Sequence, residues 1–106
     1  MSNKLGLRRH DSLIDFVEEE LKERGYQSVY KNTVYSRSSC GEIDLFTIRD
    51  GYVLLFEMKV TDNYKSRKKA YEQLDRAVTN CFPFSRVFKF YVSNYKEPRI
   101  EWMRRK

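Results

Sequence analysis

The sequence predicts an α/β fold: a mixed central sheet with a helix packed on each face. Three observations carry this. Two β-rich runs flank Asp50-Gly51, the two-residue signal of a type I′ hairpin, in which both central residues need positive φ. Both faces of that hairpin are apolar, Phe46, Ile48, Val53 and Leu55 on one and Ile43, Leu45, Thr47, Leu54, Phe56 and Met58 on the other. Such a hairpin belongs between two covering layers. A helical pattern then separates it from the next strand, which implies a crossover and some parallel pairing.

Each element follows in order. Residues 1–10 are polar and basic, and read as a loose arm. Ser12 to Asp15 resembles a capping box, with Asp in place of Glu, so a helix is expected over 12–24, stopped by Gly25. Leu13, Ile14, Val17 and Leu21 form its apolar stripe. Residues 26–36 alternate aromatic and β-branched side chains, a first strand. A polar loop, 36–41, leads into the hairpin. Thr61-Asp62-Asn63 is a turn, and Asn63 a candidate N-cap. The second helix runs over 64–82, with Arg67, Ala70, Leu74, Ala77, Val78 and Cys81 at helical spacing, and Pro83 ends it. Residues 87–93 are a strand, and 100–103 a short edge strand before the basic tail.

At 106 residues the chain is expected to be one domain, 1–106, and 41% hydrophobic residues suffice for a modest core. Small domains are marginal alone, so a homodimer is expected. The net charge of +6 favours a polyanionic partner. No run is long and apolar enough for a signal peptide or membrane span, which predicts a cytoplasmic protein without membrane contact. Cys40 and Cys81 lack metal-type spacing and read as reduced thiols in that compartment.

The hairpin has a chemical consequence. With Asp50-Gly51 as the loop, Arg49 faces Tyr52, Asp44 faces Glu57 and Glu42 faces Lys59. Alternation puts Lys59 on the face of Glu57. Opposed residues have Cβ atoms about 5 Å apart, so two carboxylates meet, a destabilising contact unless something positive sits between them. Hard oxygen ligands suit Mg²⁺ or Mn²⁺.

Asp44, followed on the next strand by Glu57-Met58-Lys59, is an Asp…Glu-x-Lys pattern. In this the chain resembles the PD-(D/E)XK nuclease superfamily, whose fold is the restriction-endonuclease-like αβββαβ core. Gly41-Glu42-Ile43-Asp44 and Glu57-Met58-Lys59-Val60-Thr61 are similar to its small members, the archaeal Holliday junction resolvases and the YraN-like proteins, over roughly residues 12–92. The resemblance implies a Mg²⁺-dependent endonuclease that hydrolyses DNA phosphodiester bonds. By the same resemblance Asp44, Glu57 and the Met58 carbonyl would ligate the metal. Lys59 would orient the attacking water and steady the developing charge, and Gln73 would approach the site from the second helix. Ser38 or Ser39 stands where the resolvases use a loop serine. Two positions depart from the pattern. Ile43 replaces a proline, and Ile14 stands where members carry a first-helix acid. Glu18, one turn later, and Asp11, nearly one turn earlier, are the substitutes, with Asp15 further out. The expected DNA contacts are Arg8 and Arg9 of the arm, Arg37 beside Ser38, and Lys65, Arg67, Lys68 and Lys69 after the active-site strand.

Two other readings fit the same residues. One is a nucleic-acid-binding module without catalysis, lost with the first-helix acid. The other is an interaction domain in which Glu42, Asp44, Glu57 and Lys59 form a structural ion cluster. His10 reads as a lone, solvent-exposed histidine.

Overall fold

The computed structural model describes residues 2–34, 42–83, 86–94 and 97–103, the side chains of 2–8, 32–34 and 42 excepted. In chain order the elements are α1 (Ser2–Glu23), β1 (Val29–Val34), β2 (Glu42–Arg49), β3 (Tyr52–Lys59), α2 (Tyr64–Cys81), β4 (Arg86–Asn94) and β5 (Pro98–Trp102). The strands form one sheet in the order β1-β2-β3-β4-β5. Only β3 and β4 pair in parallel, joined by the α2 crossover; the other neighbours are antiparallel.

The hairpin has the expected register from Arg49 opposite Tyr52 to Leu45 opposite Phe56, but the ladder ends there, so the expected pairs Asp44–Glu57 and Glu42–Lys59 are not part of it. Asp50 and Gly51 both take positive φ, 53° and 81°, as a type I′ turn requires. A Cβ on Gly51 would meet nothing within 4 Å, so glycine serves the backbone conformation there, not a close approach.

Helices cover both faces. Leu13, Ile14, Val17 and Leu21 of α1 pack on Leu45, Phe56, Met58 and Val92. On the other face Ala70, Leu74 and Ala77 of α2 pack on Phe46, Val53, Leu55 and Tyr91. Leu45 and Leu55 are wholly buried, and each such side chain contributes about 1.5–3 kcal/mol. Gly25, at φ 88°, ends α1. Its N–H donates to the Lys22 carbonyl and that of Tyr26 to the Leu21 carbonyl, the paired bonds of a Schellman cap. Asn63 caps α2, accepting from the Ser66 N–H at 2.9 Å.

Four expectations need correction. Residues 2–10 are not a loose arm; α1 begins at Ser2. Nothing in that segment breaks a helix, and Gly6 costs only about 1 kcal/mol, so the Ser12–Asp15 signal lies inside the helix. Ile48 is exposed. Ile43 packs with the α2-side cluster, although strict alternation from Leu45 puts it on the α1 side. Cys81 is disulfide-bonded rather than reduced; Cys40 lies outside the described residues.

Candidate active site

The site is built where the β2–β3 ladder stops. Leu45–Phe56 is its last pair. Continued one step in register, the Met58 N–H would donate to the Ile43 carbonyl. Instead it donates to Asp44 Oδ2 at 2.9 Å. The strands part at this point, and the Asp44 carboxylate occupies the gap. In a strand the N–H and C=O of one residue point to the same side, so the Met58 carbonyl faces that gap too.

Four ionisable side chains meet around it. Asp44 and Glu57 are both buried, at 8% and 5% exposure. Lys59 Nζ lies 3.5 Å from Glu57 Oε2, and His10 Nε2 lies 3.3 Å from Asp44 Oδ2. Burial, and then the neighbouring Asp44 carboxylate, pushes the Glu57 carboxyl up to about 9; Lys59 offsets only part of this. Burial also opposes ionisation of Asp44, but His10, Glu57 and the Met58 N–H outweigh it and lower its pKa. At neutral pH the pair therefore holds one proton, on Glu57, hydrogen-bonded to an ionised Asp44.

This donor set fits a hard divalent cation. Two carboxylates that can ionise together only with added positive charge between them are what such an ion replaces a proton on. Among the described residues no three His, Cys, Asp or Glu side chains are grouped to hold a metal. The protein would supply two carboxylates and the Met58 carbonyl. Mg²⁺ commonly keeps water or phosphate oxygens at its remaining positions.

Other expected site residues lie elsewhere. Glu18 is engaged by Lys31 of β1 at 3.1 Å and by Lys22 at 3.5 Å, and Lys31, ahead of Lys22, lowers its pKa against a burial penalty. It sits two turns past His10, about 12 Å along the axis. Asp11 and Asp15 are exposed, and Gln73 is exposed on α2. Arg67 is not free for phosphate. It binds Asp62 at 2.9 Å and Glu101 at 2.7 Å and stacks on the Tyr91 ring at 5.0 Å. Arg9, Lys65, Lys68 and Lys69 are exposed. Arg37, Ser38 and Ser39 lie outside the described residues, as does the side chain of Arg8.

Sequence reasoning missed His10. The signal was available once α1 is extended upstream. His10, Ile14, Val17 and Leu21 then share one column at helical spacing, so the residue one turn before Ile14 must face the sheet. No helix of the described residues is long and apolar enough to cross a membrane. No family model matches this sequence, and no curated protein matches it.

Proposed function

We propose that the protein is a Mg²⁺- or Mn²⁺-dependent endonuclease on a restriction-endonuclease-like core, cutting DNA phosphodiester bonds. The observation that carries this reading is the buried Asp44–Glu57 pair at the end of a ladder, one proton between them and Lys59 beside them. A buried carboxylate pair destabilises a small domain unless it is used.

In this reading Asp44, Glu57 and the Met58 carbonyl hold the ion, which when bound polarises the phosphate and acidifies water. Lys59, near the surface at 24% side-chain exposure, orients the attacking water and steadies charge on the phosphate oxygens. His10 donates to Asp44 Oδ2 and fixes that carboxylate on its own side of the gap. Exposed Lys65, Lys68 and Lys69, on the first turns of the helix that follows β3, hold the backbone without reading sequence. Branched DNA is the proposed substrate, by resemblance to the Holliday junction resolvases. Symmetric cutting of two strands calls for two copies of the chain, hence a homodimer.

Cleavage of a four-way junction in Mg²⁺ tests the reading, with Asp44→Ala and Lys59→Ala alongside. Undiminished cutting by both variants would discard the assigned roles. A second reading, binding without cleavage, is favoured by one observation: the α1 residue at the pair is His10, not an acid. It expects junction binding that weakens steeply with salt and no cutting in either metal.

A further inference from the structure

We infer that the corner of the sheet at the hairpin end is a binding site for unpaired bases of single-stranded nucleic acid. On the α1-side face the register sets Phe88 opposite Leu54 and Phe90 opposite Phe56, and Trp102 opposite Phe90. Their rings touch in two groups. Phe56 and Phe90 stack at 4.8 Å, Tyr52 lies 5.8 Å from Phe88, and Phe88 lies 5.9 Å from Trp102. Trp102 is 46% exposed. Between this aromatic floor and Tyr26 and Arg49 lies a pocket of about 430 Å³.

Charge at the rim identifies the occupant. The Arg49 guanidinium sits 5.1 Å above the Tyr26 ring, and that of Arg86 5.7 Å above Tyr52. Arg86 pairs with no carboxylate among the described residues, and the acid nearest Arg49 is the highly exposed Asp50, at 3.7 Å. Arg49 donates one N–H to the Arg24 carbonyl at 3.2 Å and Arg86 one to the Tyr52 hydroxyl at 3.1 Å, and a guanidinium has five N–H donors, so others are left for phosphate. Aromatic faces flanked by such cations bind bases and backbone together, with little regard for sequence. Bases stacked inside a duplex cannot enter the pocket, which selects a single strand. A second copy of the chain is disfavoured. It would set Arg49 and Arg86 against their own kind, and the pocket, at about 430 Å³, has the size of a ligand site, ~300–1,000 Å³. The corner lies roughly 17 Å along β3 from Glu57, and it binds whether or not the Asp44 centre cuts.

Trp102 is the chain's single tryptophan, so the site carries its own reporter. The full chain is titrated with oligothymidylate in EDTA, which silences any metal-dependent cleavage. The expected result is saturable quenching of Trp102 emission. Phe88→Ala should weaken binding roughly 5- to 150-fold, the range for one lost base stack. Arg86→Glu should weaken it and flatten its salt dependence. That variant sits on the exposed rim, so it still decides the matter should Phe88→Ala not fold. No quenching, or quenching unchanged in Arg86→Glu, overturns the proposal. So does emission that shifts with protein concentration alone, accompanied by a dimer in sedimentation, since the corner would then be a self-association surface.

Discussion

Two polar networks lie close together in the sheet, and they handle charge in opposite ways. One centres on Arg67, which binds Asp62 and Glu101 and stacks on Tyr91. The Tyr91 hydroxyl donates to the Thr61 carbonyl at 3.1 Å and reaches Asp62 at 3.3 Å. Every charge there has a partner of opposite sign. The other centres on Asp44 and Glu57, where like charges are opposed and a trapped proton keeps the peace. In the β3–β4 register Glu57 stands directly opposite Tyr91, so the same strands, a residue apart, build both. The balanced network fastens β5 and the α2 N-terminus to the sheet. The unbalanced one keeps a buried carboxyl protonated, and that difference marks it as the place where a ligand belongs.

The largest expected effect breaks the comparison at its acidic side. Asp44→Ala or Lys59→Ala should lower metal-dependent junction cleavage by at least about 10²-fold, the scale of losing one preorganised charge-stabilising group. Arg67→Ala, measured at a temperature where it stays folded, should cut within a few-fold of the unaltered chain. Equal losses from Arg67→Ala and Lys59→Ala would show that the two networks do one job.

The next effect is on stability against pH. Glu57 has its folded pKa raised from 4.5 to about 9. Below 4.5 both folded and unfolded chains hold this proton. Between 4.5 and 9 only the folded chain does, so its stabilising effect is fullest at the acid end and drains away as pH rises through the folded value. Chemical denaturation from pH 5 to 9 should therefore show stability falling, by at most about 1.4 kcal/mol per pH unit. Glu57→Gln should flatten the slope. Mn²⁺ should stabilise the chain, and more so at higher pH, because the ion competes with the proton. A flat profile in the unaltered chain, or no shift of its melting temperature by Mn²⁺, would remove the distinction between the two networks.

The sheet and the acidic pair were legible in the sequence because short-range chemistry specifies them. Asp50-Gly51 sets the turn, the turn sets the register as far as Leu45–Phe56, and the next residue along each strand brings Asp44 and Glu57 together where the ladder ends. What was illegible depended on long-range geometry. Ser12 looks like a helix start in isolation, yet nothing upstream prevents the helix from continuing, and that single misplacement hid His10. Arg67 falls on the apolar stripe of α2 and its charge reads as a phosphate contact. Only the fold shows that Glu101, 34 positions away in sequence, arrives to bind it. Ile43 reads as an α1-side residue until the ladder ends beside it and alternation lapses.

On the balanced side, Arg67→Ala should cost about 1–3 kcal/mol by thermal or urea unfolding, since it leaves the half-buried Asp62 carboxylate without its ion partner and uncovers the Tyr91 ring. The expected signature is a loss that persists at pH 5 and pH 9 alike and is indifferent to Mn²⁺. A loss that grows with pH in step with Glu57 would mean that Arg67 also compensates the acidic pair.

The smallest effect is the sharpest test of separation. Tyr91→Phe removes one buried hydroxyl and its two acceptor contacts, for about 1 kcal/mol. Burial, and then Asp62, holds that phenol up at about 12, so it is neutral across the range where Glu57 titrates and cannot exchange a proton with it. The double variant Tyr91→Phe with Glu57→Gln should therefore show additive losses, within about 0.3–0.5 kcal/mol. The pH slope of Tyr91→Phe alone should match that of the unaltered chain. Ring and carboxyl come from facing residues, so coupling through packing would register as a departure from additivity at every pH. Coupling through charge would register only above pH 5, as Glu57 strains to ionise. The second pattern would join the two networks into one electrostatic unit and move the boundary of the candidate site across to β4.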